Sequence, residues 1–423
     1  MSGKPLLILK LAGYFLTSAI YLLESLVSAK INRWTYNVGD NPKNVVVIGA
    51  SFAGFHLAKQ LAQSIPSGYR VILIERHSHF FFTWNFPRST VVPGHDHKAF
   101  IPYLDPLPSI PEGAYVFTRG TVVSLDSKKV VLEDGSEIEY EYLAVATGSH
   151  ARYPARLQAI EKAECIAFFK DQQERIKQAQ RVIVVGGGAA GMEVASDAKS
   201  KYPEKDVTLI HSRDRLLNNF GPLLHTKAME ALDALGVKTY LNERATTGLD
   251  EDQPKEVILK NGLVLPCDTL VRCTGQYPRV DLIKEFSPAS ISPSGKILVD
   301  QSLRMANSPN ANIFAAGDVI DAPGPSLGRA ASIQGMFVAD NIVRAIKGKP
   351  LKTFKPGLVN WSIELTLGLG KDAMYVSDGV REASFDRKMP HEDLWARQVW
   401  KMMGVKPFED PSYVDESKAV ESS

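Results

Sequence analysis

The most apolar part of the chain lies near its N-terminus, over residues 5–29. The uncharged run from Leu11 to Leu23 is shorter than the roughly 20 residues that cross a bilayer as a helix. Lys10, Thr17 and Glu24 recur every seven residues and would share one helix face. This pattern favours a helix in the membrane interface with a narrow polar stripe, although a spanning helix, an ordinary buried helix and a signal peptide are alternatives.

An apolar strand over residues 44–48 is followed by a glycine turn and a helix. The next apolar strand, residues 69–74, ends at Glu75. This strand–turn–helix–strand order is typical of a dinucleotide-binding unit, in which the helix N-terminus faces a pyrophosphate and the acid binds a ribose hydroxyl. The predicted contact residues of the turn are Gly49, Ala50, Ser51, Phe52, Ala53 and Gly54.

The same arrangement recurs 137 residues later, with Gly186, Gly188 and Gly191 in the turn. Its second strand, residues 207–210, is followed by His211, Ser212 and Arg213 instead of an acid. A carboxylate there would repel a 2′-phosphate, whereas Ser212 and Arg213 would bind one, so we expect NADPH to be accepted, with or without NADH. A solvated surface arginine is the alternative for Arg213.

Shorter motifs follow three other apolar segments. Thr147-Gly148 and Thr274-Gly275 each end a strand, and either pair would also fit a plain exit from a strand into a loop. Asp318 follows the strand over residues 312–316, where its carboxylate would accept hydrogen bonds from polyol hydroxyls. A helix is predicted over residues 327–344, with its positive N-terminal end towards a ligand.

The composition and charge of the chain argue against several classes of protein and site. The 423 residues correspond to about three domains. With 49 basic and 47 acidic side chains, no basic surplus points to nucleic acid. Three cysteines, at 165, 267 and 273, form no C-x-x-C pair, so neither a thiol redox centre nor a metal site is expected.

Taken in order, these motifs resemble the two-dinucleotide-binding-domain flavoproteins of the pyridine nucleotide-disulfide oxidoreductase superfamily. Softer similarities, at residues 202–212, 353–357 and 393–403, resemble the apoptosis-inducing factor-like and ferroptosis-suppressor-like branch. The resemblance implies FAD in the first unit and NADH or NADPH in the second. It also implies that Thr147, Gly148 and Asp318 contact FAD, that Glu193 lies near the nicotinamide amide, and that Lys355 lies near the flavin.

The predicted fold class is therefore α/β, with two Rossmann-like domains, a small C-terminal region and an N-terminal apolar helix. The expected division is 1–39 for the membrane-associating helix, 40–155 with 280–345 for FAD, 156–279 for NAD(P)H, 346–405 for a C-terminal cap and 406–423 for a mobile tail. A location on an intracellular membrane, such as the mitochondrial outer membrane or a lipid droplet, is expected.

The predicted activity is hydride transfer from NAD(P)H to FAD, with Glu193 and Lys355 as candidate catalytic residues, and then electron transfer to a quinone-like acceptor. Phe80, Phe81, Phe82 and Trp84 would line an apolar acceptor channel or pack in the core. The alternatives are an FAD oxidoreductase of a small metabolite and a nicotinamide-sensing signalling protein.

Overall fold

The computed structural model describes residues 4–104, 107–151, 153–154, 157–246 and 254–413. Within these ranges the helices are α1 (Lys4–Thr35), α2 (Phe52–Ser64), α3 (Phe86–Val91), α4 (Lys162–Gln178), α5 (Ala189–Lys201), α6 (Pro222–Leu235), α7 (Asp281–Phe286), α8 (Gly328–Ile346) and α9 (Ala396–Met402). The strands are β1 (Lys43–Ile48), β2 (Tyr69–Glu75), β3 (His79–Phe81), β4 (Phe100–Pro102), β5 (Tyr115–Arg119), β6 (Val122–Leu125), β7 (Lys129–Leu132), β8 (Glu137–Glu139), β9 (Tyr142–Val145), β10 (Ser149–Ala151), β11 (Arg181–Val185), β12 (Asp206–Ile210), β13 (Lys238–Tyr240), β14 (Glu256–Ile258), β15 (Val264–Pro266), β16 (Thr269–Arg272), β17 (Gln276–Pro278), β18 (Ile313–Ala315), β19 (Ile363–Thr366), β20 (Lys371–Ser377) and β21 (Glu382–Lys388).

The first sheet is parallel and has the strand order β18-β9-β1-β2-β5 in the described part of the chain. Its central strand β1 is buried from Val45 to Ile48, as expected for a parallel strand covered on both faces. Helices α2 and α8 pack against each other on the sheet. The sheet draws β18 from far along the chain, so it is built from two separate segments.

The second sheet is also parallel, with the order β13-β12-β11-β16 among the described residues. Helices α5 and α6 pack together beside it. In both sheets the strand that precedes the glycine turn is central, so both turns open at the carboxyl edge of a sheet, where ligands of open α/β folds bind.

A third, antiparallel sheet, β19-β20-β21, is followed by α9. Trp400 of α9 is fully buried, and its indole N–H donates to the Lys98 carbonyl at 2.9 Å. Leu365 and Tyr375 of this sheet join the core of the second dinucleotide unit. The C-terminal region therefore packs against both units.

Helix α1 lies along the body of the protein. One face is docked: Leu7 is buried against Leu358 and Val376, and Lys10 forms an ion pair with Asp378. Further along, the Tyr21 hydroxyl donates to Asp340 at 3.3 Å. The other face is exposed and apolar, and includes Leu9, Phe15, Leu16, Ile20, Leu23, Leu26, Val27 and Ile31.

Over Pro5–Thr35 this helix has a mean hydropathy of 1.9 in its most apolar window, which makes it long and apolar enough to cross a membrane.

The first part of the segment expected to be a mobile tail, residues 406–413, contacts the rest of the protein. Asp410 accepts hydrogen bonds from His79 Nε2 at 2.8 Å and from Lys162, and all three side chains are buried. This pairing ties residues 406–413 to the first dinucleotide unit. The pattern of the sequence contained no signal for it because the partners are about 250 and 330 residues away. Residues 414–423 lie outside the described residues.

Candidate active site

Two cavities adjoin at the carboxyl edge of the first sheet and share Ser51, Ala146 and Gly148. The outer cavity runs past Glu75 and Thr147. The inner cavity lies where the two dinucleotide units and the C-terminal region meet. Together they form a continuous cleft along the first glycine turn, as an extended dinucleotide would require.

Glu75 lies in the outer cavity at the end of β2. Its carboxylate accepts a hydrogen bond from the Ala50 N–H at 2.7 Å, and it lies 2.6 Å from His77 Nδ1. Burial alone would raise the pKa of Glu75, but the contact with His77 and the backbone N–H donors outweigh burial and lower it to about 2. The group is therefore an anion and a hydrogen-bond acceptor at neutral pH, as a ribose diol requires.

The first glycine turn leaves a cradle that a side chain would fill. Gly49 has φ +94°, and a Cβ on Gly54 would lie 1.7 Å from the Gly49 carbonyl oxygen. Ser51 lines both cavities, and its buried Oγ has no hydrogen-bond partner among the described residues. A buried hydroxyl that faces a cavity fits a phosphate oxygen, so the turn fits the pyrophosphate of FAD.

Phe52 and Ala53, the other predicted contacts in the turn, line the inner cavity. Thr147 and Gly148 line the outer one, and Thr147 Oγ1 donates to the Arg279 carbonyl at 2.8 Å. Asp318 lines the inner cavity, and its carboxylate accepts a hydrogen bond from Ser149 Oγ at 2.9 Å. The structure thus brings the predicted FAD contacts together along one cleft.

The second turn repeats the first in its geometry. A Cβ on Gly191 would lie 1.9 Å from the Gly186 carbonyl oxygen, while a Cβ on Gly188 would meet no atom within 4 Å. Ala189 and Ala190, which begin α5, line the inner cavity. Ser212 and Arg213 are exposed beyond the carboxyl end of β12, outside both cavities. His211 takes the place of Glu75, and its Nδ1 accepts the Gly187 N–H at 3.1 Å.

Glu193 of α5 lines the inner cavity. Its Oε1 accepts the Thr366 N–H of β19 at 3.2 Å, a contact that joins the second unit to the C-terminal region. Burial raises the pKa of Glu193 to about 8, and the nearby Asp197 carboxylate adds to the shift. At neutral pH most of this carboxyl is therefore protonated and can donate a hydrogen bond.

Lys355 is exposed and lines neither cavity. The structure therefore does not place its side chain beside the candidate FAD cleft, where the resemblance implied it. The Lys-Pro-Gly turn precedes Leu358–Trp361, a short helical segment, and that segment leads into β19.

The aromatic cluster after β2 is divided between core and cavity. Phe80 and Phe82 are fully buried in the core, and Phe81 is nearly so. Trp84 is exposed, lines the inner cavity and stacks on Phe52 with ring centroids 5.5 Å apart. Phe80 and Phe82 therefore belong to the core, and Trp84 is the aromatic residue of this cluster that lines the inner cavity.

The C-terminal region supplies a wall of the inner cavity that sequence reasoning missed. It consists of Ser362, Ile363, Glu364, Thr366, Met389, Leu394 and Trp395. Leu394 and Trp395 have positive φ, an uncommon conformation for large side chains that is often associated with functional sites. The sequence predicted a C-terminal cap over residues 346–405 but not these cavity-lining residues, because their place in the wall depends on contacts between distant segments.

A buried ion pair was also missed. Arg88 of α3 forms a bidentate pair with Asp197 of α5, with Nε 2.6 Å from Oδ2, and both side chains are buried. It joins the two dinucleotide units one helical turn from Glu193. A charged residue in a short helix gives no sequence signal for such a distant partner.

Comparison with known proteins now identifies the fold. Residues 43–335 match the family described as Pyridine nucleotide-disulphide oxidoreductase. The chain belongs to this family. It is 29% identical over 377 residues to Ferroptosis suppressor protein 1 of Xenopus tropicalis, covering 85% of this chain and 96% of that protein. It is 31% identical over 386 residues to Fe-regulated protein 8 of Mycosarcoma maydis, covering 84% and 95%.

Among solved structures, the chain resembles the sulfide:quinone oxidoreductase of Aquifex aeolicus with a TM-score of 0.72 and 21% identity, over 90% of this chain and 95% of that one. The protein is an FAD-dependent oxidoreductase that uses NAD(P)H. The α/β fold, the resemblance and the cofactors predicted from the sequence are confirmed.

Proposed function

We propose that this protein transfers reducing equivalents from NAD(P)H to a quinone-like acceptor at a membrane surface. The observation that carries the proposal is the inner cavity. Ser51 and Asp318 from the first unit, Glu193 from the second and Trp395 from the C-terminal region all line it. When bound, FAD would supply the two-electron chemistry, and the protein's part is to bind, orient and exclude water.

Residues of both dinucleotide units would contribute to binding the cofactors. Glu75 would accept hydrogen bonds from the adenosine ribose of FAD, the first glycine turn would hold its pyrophosphate, and Asp318 would bind its ribityl hydroxyls. Protonated Glu193 would donate a hydrogen bond to the carboxamide of the nicotinamide. The Arg88–Asp197 pair fixes α5, and therefore Glu193, against the first unit.

The cysteines support a diffusible acceptor. Cys165 and Cys267 are buried, and none of the three lines either cavity. Burial raises the pKa of Cys267 to about 11, so its thiolate is scarce at neutral pH. This arrangement favours electron transfer to a molecule that enters the cavity. The apolar part of the cavity wall, Leu394, Met389 and Trp395, suits an apolar ring. Sulfide:quinone oxidoreductase, with the same fold, acts on a quinone by name.

Helix α1 supports a lipid surface as the place of action. Its docked face is held by Lys10, Tyr21 and Asn32, whose side-chain amide donates to the Gln63 and Ile65 carbonyls at 3.2 Å. Its outer face is apolar. A helix docked along its length and apolar on the opposite side suits an in-plane position, with that face among the acyl chains.

The activity is tested by steady-state oxidation of NADH and NADPH with and without a short-tailed quinone, together with the absorbance spectrum of the purified protein. The expected result is a bound-flavin spectrum and quinone-dependent turnover. A flavin spectrum without stimulation by any quinone would contradict the acceptor and favour the oxidoreductase of a small metabolite. Nucleotide binding without any turnover would favour the signalling protein.

The membrane position is tested by replacing Leu9, Leu16 and Leu23 with serine. These three share the outer face, so the docked contacts of α1 stay intact. We expect the variant to lose co-sedimentation with phosphatidylcholine vesicles and to keep soluble quinone reduction, while the exposed control Thr17→Ser binds normally. Unchanged binding of the triple variant would contradict the in-plane helix.

A further inference from the structure

On the pocket-facing side of the C-terminal sheet, two carboxyls and an arginine lie together. Glu364 of β19 lines the inner cavity, while Asp372 of β20 lies behind it with a fully buried side chain. Arg387 of β21 contacts both: its Nη2 lies 2.7 Å from Glu364 Oε1, and its Nε donates to Asp372 Oδ2 at 3.1 Å. The Arg387 side chain is 36% exposed, so the cluster reaches from the cavity to solvent.

One positive charge therefore faces two carboxyls in this cluster. The indole N–H of Trp395 donates to Glu364 Oε1 at 2.9 Å and favours its ionised form. The Glu364 and Asp372 carboxyls lie close enough for one to donate a hydrogen bond to the other once a proton is present. Two adjacent carboxylates beside one arginine would leave a net negative charge in a buried place, which burial disfavours.

The hydrogen bonds of Asp372 point to a bound proton. Its Oδ1 is buried and receives no hydrogen bond from a donor within the described ranges. A proton shared with Glu364 supplies the missing donor. Burial raises the pKa of Asp372, and the Glu364 carboxylate adds to this, while Arg387 opposes it. Burial also acts on Glu364, but its hydrogen bonds from Trp395 and Arg387 outweigh it and lower its pKa. Of the two carboxyls, Asp372 is therefore the better site for a shared proton.

We propose that Glu364 and Asp372 form a proton relay that delivers a proton to the acceptor bound in the inner cavity. This inference rests on the proposed quinone-like acceptor. Reduction of a quinone to a quinol adds two electrons and two protons. NAD(P)H supplies both electrons and one proton as a hydride equivalent, and water must supply the other proton.

In the relay that second proton passes from Asp372 to Glu364 and from Glu364 to a quinone oxygen. Asp372 is then reprotonated from water at the exposed edge of Arg387. The pair ends each turnover with the same single proton, so charge and atoms balance. Glu364 acts as a catalytic residue because it lines the cavity, and Asp372 and Arg387 act through it.

The test compares two acceptors. Ferricyanide takes electrons only, whereas a short-tailed quinone takes electrons and protons. For Glu364→Gln and Asp372→Asn we expect quinone turnover to fall by about tenfold or more, within the range of general-acid effects. In the same variants, turnover with ferricyanide should fall by less than about twofold, because this acceptor takes up no proton. The solvent deuterium isotope effect on quinone turnover should rise in both variants.

Asp386→Asn is the matched control. Asp386 directly precedes Arg387 in β21, and its exposed side chain pairs with Lys227. It should leave both rates unchanged. Flavin content and thermal unfolding show that each variant is folded. An equal fall with both acceptors, or no fall with either, would overturn the relay.

Infrared spectroscopy of the resting protein supplies a readout without turnover. Protonated Glu193 contributes a carbonyl stretch in all of these proteins, so the readout is a second protonated-carboxyl band beside it. This second band should be present in the wild-type protein, absent in Asp372→Asn and unchanged in Asp386→Asn. If the wild-type protein reduces ferricyanide but no quinone, the proposed acceptor is wrong, and the second band then decides separately whether the pair holds a proton. An Asp372→Asn variant that keeps the second band overturns the relay in either case.

Discussion

The two dinucleotide units share the backbone geometry of the glycine turn and differ in the side chain that accepts a hydrogen bond from it. In each, the first turn glycine donates its N–H at 2.8 Å to a carbonyl near the end of the neighbouring strand, Gly49 to Ile74 and Gly186 to Ile210. The next N–H then meets Glu75 in the first unit and His211 in the second. The first unit thus presents an anion to its nucleotide, and the second presents an imidazole.

This difference has a chemical consequence. Burial lowers the pKa of His211, so the ring is mostly neutral and adds no fixed charge. The carboxylate of Glu75 would favour a ribose with free hydroxyls in the first unit. The second unit has no carboxylate at the equivalent position to repel a 2′-phosphate. Turns of the same backbone geometry would then hold different nucleotides, because the residue at the end of the second strand differs.

The turns themselves give the largest expected effect. In Gly54→Ala the new Cβ would lie 1.7 Å from the Gly49 carbonyl, and in Gly191→Ala it would lie 1.9 Å from the Gly186 carbonyl. Each should destabilise the protein by about 3 kcal/mol, because backbone must move. Gly54→Ala should also lose bound flavin, whereas Gly191→Ala should keep flavin and lose NAD(P)H affinity. Thermal unfolding, flavin absorbance and nucleotide titration measure the three effects. Loss of flavin in both variants would contradict the separate roles of the units.

The local sequence pattern was sufficient to predict these two glycine turns, and the structure shows the reason. The alternation of buried strand, glycine and helix is encoded within about 30 residues, and both units have it. The cavity wall at Glu364 and Trp395, the Arg88–Asp197 pair and the docking of Asp410 on His79 depend on partners 30 to 330 residues away. The periodic pattern of hydrophobic residues along the sequence does not predict contacts between such distant residues. The direction in which α1 presents its apolar face likewise depends on partners such as Asp378 and Asp340.

Glu75 gives the next largest effect. With the pKa lowered to about 2 from an ordinary value of 4.5, its ionised form stabilises the folded state above pH 4.5. This stabilisation is lost as the pH falls through 4.5 towards 2. We expect Glu75→Gln to cost about 2–3 kcal/mol at neutral pH and much less near pH 2. Chemical unfolding of the flavin-free protein across this range measures it. His211→Gln, the matched change in the second unit, should show its pH dependence in a different window. Burial lowers the pKa of His211 from its ordinary value of 6.5, so the stability that its neutral ring contributes begins to be lost as the pH falls below 6.5. Equal profiles for the two variants would contradict the contrast between the units.

A smaller effect is expected at the nucleotide end of the second unit. Arg213 is exposed beside the carboxyl end of β12, where it would contact a 2′-phosphate. Arg213→Ala should raise KM for NADPH by about tenfold, the loss of one charge-assisted hydrogen bond, and leave KM for NADH unchanged. Lys238→Ala removes an equal charge from the opposite, amino edge of the same sheet and should change neither. If Arg213→Ala leaves NADPH kinetics unchanged, the arginine is a solvated surface charge.

The smallest effect on the fold is expected where the two turns differ within the cradle. Ser51 in the first unit corresponds to Gly188 in the second, and a Cβ on Gly188 would meet no atom within 4 Å. Gly188→Ser should therefore change stability by less than about 0.5 kcal/mol, since the space is open. That space is also where a pyrophosphate would approach the second turn, so the variant should weaken NAD(P)H binding while flavin content stays normal. Thermal unfolding and nucleotide titration separate the two effects. A destabilised variant with unchanged nucleotide affinity would mean that the open space beside Gly188 serves the packing of α5 and not the ligand.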